Sequence, residues 1–197
     1  MFTGIIEEIG KIKRIENNED GFKAEIVADI IFQDLKINDS IACSGICLTV
    51  TNIEQNTFTV QLVNETINRT TAKFWEENTT INLERALLPT TRISGHFVQG
   101  HIDARSKIIN IKKRKDSAEF IFSKDPSFEK YIIEKGSVCL DGISLTIAEN
   151  KKNSFKVALI PHTLKITNWG RISIGDNVNV EVDMMAKYIE NIMSKNK

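Results

Sequence analysis

The stretch SGICLTV at residues 44–50 returns as DGISLTI at residues 141–147, and this echo constrains the fold more than any other feature of the chain. Sliding the sequence against itself by 97 positions lays SIACSGICLTV (40–50) on SVCLDGISLTI (137–147). The match then continues: Asn56 meets Asn153, Phe58 meets Phe155, Val60 meets Val157, Leu62 meets Leu159, Thr66 meets Thr163, and INLER (81–85) meets VNVEV (178–182). A shift of 96, one deletion away, also lays FTGII (2–6) on VQGHI (98–102). This period far exceeds the roughly 20–50 residues of stacked repeats, so each copy is expected to close a core of its own. The expected division is residues 1–93, residues 94–183 and a tail, 184–197.

Within each copy the apolar period is two. Phe22, Ala24, Ile26 and Ala28 alternate with polar residues, as do Phe58, Val60 and Leu62, then Phe155, Val157 and Leu159, then Val178, Val180 and Val182. Such runs are half-buried antiparallel strands. About six of them per copy, separated by Asn, Asp and Gly turns, predict an all-β fold of two small barrels, since closure removes unpaired edges. Two helices are expected. Asp125 and Pro126 offer an N-cap and a first-turn proline, Phe128, Tyr131 and Ile132 an apolar face, and Gly136 a stop. In the tail Met185, Tyr188, Ile189, Ile192 and Met193 form one helical stripe. It comes after both cores are complete, so it calls for a partner: its own barrel or, the favoured reading, a second copy of the chain.

Charge excludes several functions. Twenty-six basic residues balance 26 acidic ones, which leaves no net field for nucleic acid or an anionic membrane. KKRK at 112–115 lies between strand-like runs without interleaved aromatics and reads as a solvated hairpin. No apolar stretch has membrane-spanning length and MFTGIIEEIG lacks a basic leader, so a soluble cytoplasmic protein is expected. Cys43, Cys47 and Cys139 contain no C-x-x-C pair and predict reduced thiols. Phosphate loops and the H-E-x-x-H and G-x-S-x-G motifs are missing from the sequence.

The candidate chemistry lies where the copies differ. His101 in QGHI replaces an isoleucine of TGII, either as a satisfied barrel-mouth histidine or as an acid or base near neutral pH. Cys47 and Ser144 both occupy the variable position of G-I-x-L-T; Cys47 is either a small buried hydrophobe or a functional thiol. His96, His101 and His162 lack the spacing of a metal site, and none is expected. Small hydroxyls followed by NET (64–66) and PHT (161–163) suit a flat heterocycle with donors and acceptors along its edge.

Taken together, MFTGII, G-I-C-L-T, D-G-I-S-L-T, G-H-F-V-Q-G-H-I, N-L-E-R and N-V-E-V-D closely resemble the alpha-type riboflavin synthase family along essentially the whole chain. The resemblance implies two tandem six-stranded antiparallel Greek-key β-barrels with a C-terminal α-helix, each barrel binding one 6,7-dimethyl-8-ribityllumazine. It implies transfer of a four-carbon unit between two such molecules without a cofactor, in a homotrimer whose site lies between barrels of neighbouring subunits. Association with lumazine synthase is a further partnership it suggests.

By the same resemblance, the first pocket uses Gly4, Ile5 and Ile6, Cys47, Leu48 and Thr49, and Gln61, Leu62, Val63, Asn64, Glu65 and Thr66. The second uses Gly100, His101 and Ile102, Lys135, Ser144, Leu145 and Thr146, and Ile160, Pro161, His162 and Thr163. His101 is expected to handle protons, assisted by Ser40 and Asp183; Cys47 and Ser144 position or add to the rings, and Lys135 favours an anionic form. Ile46 and His162 depart from the family pattern. Two other families offer rival readings. Non-catalytic lumazine proteins share the duplicated fold but lose the histidine of QGHI and the aspartate after NVEV. Flavin reductases need a nicotinamide domain after the barrel.

Overall fold

The structure is a computed structural model that describes residues 1–195. The first barrel consists of β1 (Glu8–Asn18), β2 (Gly21–Val27), β3 (Ser40–Cys43), β4 (Ile46–Glu54), β5 (Thr57–Val63) and β6 (Thr80–Arg85), with α1 (Asn64–Arg69) after β5. The second repeats the plan with β7 (Ala104–Lys113), β8 (Ala118–Ser123), β9 (Ser137–Leu140), β10 (Ile143–Asn150), β11 (Ser154–Leu159), α2 (Pro161–Ile166) and β12 (Asn177–Val182). Both close antiparallel, in the order β1-β2-β5-β4-β3-β6 and its equivalent β7-β8-β11-β10-β9-β12. The alternating residues read from the sequence fill two separate cores, one around Ile26, Phe58 and Leu62 and the other around Phe122, Phe155 and Trp169. Register breaks recur at equivalent places, Ile12/Arg14 with Ile108/Asn110 and Val50/Asn52 with Ile147/Glu149, so the copies share their irregularities as well as their strands.

The barrels meet about a pseudo-twofold axis. Phe2 and Val98, counterparts under the shift of 96, pair with each other: Phe2 N–H donates to the Val98 carbonyl at 2.7 Å and Val98 N–H returns at 3.1 Å. Beside the axis, Asn82 Nδ2 donates to the Asp141 carbonyl at 2.9 Å and Asn179 Nδ2 to the Ser44 carbonyl at 2.8 Å. Their Oδ1 atoms accept the backbone N–H of Asn168 and Thr71, at 2.8 and 2.7 Å. Both asparagines are fully buried. Each is satisfied only when the other barrel is docked, which fixes one mutual orientation.

The helix expected from Asp125 to Gly136 does not form. Asp125 accepts the Ser127 N–H at 2.8 Å, but a single 3-10 turn, Glu129–Tyr131, follows. Phe128 and Ile132 are both buried in the second core, and Lys135, at φ 66°, gives its N–H to the Ile147 carbonyl at 2.8 Å. Long-range strand pairing has overridden a local signal. Barrel 1 uses the same device, with Asn38 at φ 77° bonded to the Val50 carbonyl at 2.9 Å.

The tail helix α3 (Met184–Lys195) does form; residues 196 and 197 of the expected tail lie outside the described residues. It is held by its polar side: Lys130 Nζ meets Glu190 at 2.7 Å and Lys187 Nζ meets Asp103 at 2.6 Å. The apolar stripe consequently faces outward, with Met185, Tyr188, Ile189, Ile192 and Met193 all more than half exposed, from 53 to 62%. Among the described residues no helix is long and apolar enough to cross a membrane.

Candidate functional site

Two segments change partners near the axis. The N-terminal segment leaves β1 and lies on barrel 2, where Ser144 N–H donates to the Gly4 carbonyl at 2.7 Å. The segment before β7 lies on barrel 1, where Cys47 N–H donates to the Gly100 carbonyl at 2.9 Å. Both glycines have left-handed φ, 77° and 81°, and both are pressed against the facing strand. A Cβ on Gly4 would fall 2.6 Å from Ser144 Cβ, and one on Gly100 would fall 2.5 Å from Cys47 Cβ. Ile6 is buried in the core of barrel 2, and Ile102 packs against that of barrel 1.

This corrects the grouping drawn from the sequence. Gly4, Ile5 and Ile6 stand with Ser144, and Gly100, His101 and Ile102 stand with Cys47. The reason is the Phe2–Val98 pair, which sends the two segments past each other at the axis.

Strand alternation settles what each side chain can offer. Cys47 and Ser144 are half-buried and Thr49 and Thr146 exposed, so these face outward on β4 and β10. Leu48, Leu62 and Ile6 point into the cores and offer only backbone groups at the surface, while Leu145 is half-buried against the second core. Gln61, Val63, Asn64 and Glu65 are exposed at the end of β5 and the start of α1, with Thr66 half-buried; Ile160, Pro161 and His162 are exposed and Thr163 half-buried at the matching place in copy two. Lys135 is exposed at the turn entering β9.

His101 is exposed, and among the described residues no hydrogen bond links its side chain to Ser40 or Asp183. Ser40 pairs with Thr49 and lines a cavity of about 290 Å³ with Asp34 and Arg85. Asp183 caps α3, accepting the Met185 N–H at 2.9 Å. The histidine that gains a partner is His96, whose Nδ1 lies 2.7 Å from Ser144 Oγ. Its backbone N–H donates to the Thr3 carbonyl at 3.1 Å. Desolvation, opposed by the charge of Asp183, lowers its pKa and favours the neutral ring. In the sequence His96 stands out only by its spacing of five from His101, which does not suit a metal site.

Two buried carboxylates, also missed, fasten the exchanged segments. Glu84 of β6 accepts Thr3 N–H at 2.6 Å, Thr3 Oγ at 2.7 Å and Gly4 N–H at 3.0 Å. Glu181 of β12 accepts the N–H groups of Gln99, Gly100 and His101 at 2.7, 2.8 and 3.2 Å. Burial raises the pKa of both and these hydrogen bonds oppose it. Their shared place in INLER and VNVEV was the available signal. Cys43 and Cys139 are enclosed, and burial pushes both thiols well above their ordinary range; Cys47 is the half-buried thiol.

The model of the lumazine binding domain matches this chain twice, over residues 3–86 and 99–183, the two barrels just described. A riboflavin synthase from Actinobacillus pleuropneumoniae is 44% identical over 195 residues, covering 99% of this chain and 91% of that protein. The chain belongs to the riboflavin synthase family. Other members extend the likeness: the riboflavin synthase of Bacillus subtilis is 38% identical over 195 residues, 99% of this chain and 91% of its own. Among solved structures, LumP complexed with riboflavin superposes with a TM-score of 0.86 at 25% identity, over 93% of this chain and 100% of that one.

Proposed function

We propose that this protein is a riboflavin synthase, which dismutates two molecules of 6,7-dimethyl-8-ribityllumazine into riboflavin and 5-amino-6-(ribitylamino)uracil. The observation that carries the reading is the pair of equivalent sites, one on Cys47 and Thr49 with Gly100, the other on Ser144 and Thr146 with Gly4. A reaction between two identical molecules calls for two similar pockets, and duplication of one barrel supplies them. Holding both rings in register removes an entropic barrier worth about 7–11 kcal/mol. No external redox partner is required, since one ring loses the four carbons that the other gains.

In this reading the units 1–93 and 94–183 each bind one lumazine, and the site forms where barrel 1 of one subunit faces barrel 2 of its neighbour. The outward stripe of α3 joins the subunits of a homotrimer, consistent with its exposure. His101, exposed beside the Cys47 site, takes the proton from the C7 methyl group of a lumazine, with Ser40 beside Thr49 on the same barrel and Asp183 contributed across the interface. Cys47 and Ser144 address the two rings, and Lys135 favours the anionic form. The enzyme is cytoplasmic, and lumazine synthase is a candidate partner. Binding without turnover, as a non-catalytic lumazine- or flavin-binding protein, is the second reading, favoured by the likeness to LumP, whose solved structure holds riboflavin. Purified protein given the lumazine alone separates them: the synthase yields riboflavin and the pyrimidine in equal amounts, the carrier neither.

A further inference from the structure

Glu84 sits on barrel 1, yet the Gly4 segment that it fastens is the one packed on Ser144 of barrel 2. Glu181 sits on barrel 2, and the Gly100 segment that it fastens is packed on Cys47 of barrel 1. We propose that the two sites are cross-wired: each glutamate is a positioning residue for the site on the opposite barrel, Glu84 for that of Ser144 and Glu181 for that of Cys47 and His101. The inference deepens the reading of paired lumazine sites and rests on it for its catalytic meaning, although its geometry stands alone.

The hydrogen bonds explain why a carboxylate is needed. Glu181 takes the Gln99 N–H on one oxygen and those of Gly100 and His101 on the other. A glutamine offers one acceptor and turns an NH₂ group toward backbone donors, so Glu181→Gln unfastens part of the segment while keeping the side-chain shape. Glu84 does the same with Thr3 and Gly4, and there the Thr3 hydroxyl adds a bond that can be removed gently by Thr3→Val. Because each segment meets the other barrel through a backbone hydrogen bond, a tightly packed glycine and an isoleucine set against its core, a change at one barrel's glutamate is transmitted to its neighbour's binding surface. Ligand held on one barrel thus stiffens the segment rooted in the other, a coupling between the two sites of one chain.

Thiol labelling reads this without requiring turnover. Cys47 reports the barrel-1 site, and a Ser144→Cys variant, placing there the residue that copy one carries, reports the barrel-2 site; Cys43 and Cys139 are buried. Folded full-length variants are alkylated with iodoacetamide and the modified peptides quantified over time. Glu181→Gln is expected to speed labelling at Cys47 about tenfold, the loss of one charged hydrogen bond, and to leave position 144 unchanged. Glu84→Gln, or Thr3→Val should the glutamine variant not fold, is expected to do the reverse. Within the enzyme, the Glu181→Gln loss is expected in kcat more than in KM, with partial recovery in Glu181→Asp. Acceleration on the same barrel as the substitution, or equal acceleration on both, overturns the proposal. That result alongside normal riboflavin formation would leave the functional reading standing, whereas crossed labelling without riboflavin would do the opposite.

Discussion

His96 Nδ1 lies 2.7 Å from Ser144 Oγ, and the adjoining backbone is seated so closely that a Cβ on Gly95 would fall 2.8 Å from the same oxygen. The hydroxyl is therefore aimed by the linker between the barrels. A neutral His96 can accept its proton, and protonation of the ring removes that acceptor. The pKa of His96 is lowered below 6.5 by burial, so protonation belongs to the acidic side of that value. His96→Leu is expected to reduce kcat about five- to tenfold. His96→Asn, which keeps an amide near the Nδ1 position, should retain more activity at neutral pH and lose the acidic limb contributed by His96; pH–rate profiles of the three proteins check this.

Gly4 and Gly100 carry equivalent strain limits. Alanine at either meets a positive φ and a strand atom at 2.6 or 2.5 Å. Each substitution is expected to destabilise the protein by about 1–3 kcal/mol, measured by denaturant unfolding, and to depress turnover further by displacing the Ser144 or Cys47 surface.

Asp141 is fully buried at the barrel interface, where its carboxylate accepts the Trp169 Nε1–H at 2.9 Å and the Asn179 N–H at 2.8 Å. Burial raises its pKa from 3.8 to about 7, the hydrogen bonds opposing, with Asp176 adding a further push upward. The folded state therefore keeps a proton that the unfolded chain has released, and this group's contribution to stability falls as pH rises from about 4 to about 7. Asp141→Asn abolishes that slope. The wild-type-minus-variant difference in unfolding free energy should change across this window, by an amount on the order of a few kcal/mol, and be flat outside it.

The proposed homotrimer can be tested through the α3 stripe. Ile189 and Ile192 are 53 and 60% exposed while the helix is tied to its own chain by charged pairs. Glutamate at both positions is expected to convert a species of three 22.3 kDa chains into monomers in sedimentation, with unchanged circular dichroism and loss of turnover.

Much of this was legible in the sequence, for identifiable reasons. Alternation at Phe58, Val60 and Leu62 and its repeat at Phe155, Val157 and Leu159 report a half-buried strand directly, because side-chain direction has period two. The tail stripe was equally readable, although nothing in it said that salt bridges would turn it outward. What could not be read was where Gly4 and Gly100 would go. They lie in segments without periodicity, and their destination depends on the Phe2–Val98 pair and on carboxylates 80 and 81 residues distant. The failed helix at Asp125 has the same origin, since two buried residues and a long-range hydrogen bond from Lys135 outweighed its local cap. The role of His96 could not be read because its partner, Ser144, lies 48 residues away and nothing local marks the pairing.

The most direct test of the central claim mixes unlabelled 6,7-dimethyl-8-ribityllumazine with the same compound ¹³C-labelled at C6, C7 and both ring methyl groups, adds the purified protein and nothing else, and resolves the products by mass. The account predicts riboflavin carrying neither, one or both labelled sets, with an equal amount of pyrimidine that carries no label. Lumazine that is bound and returned unchanged, or a pyrimidine that keeps the label, would contradict it.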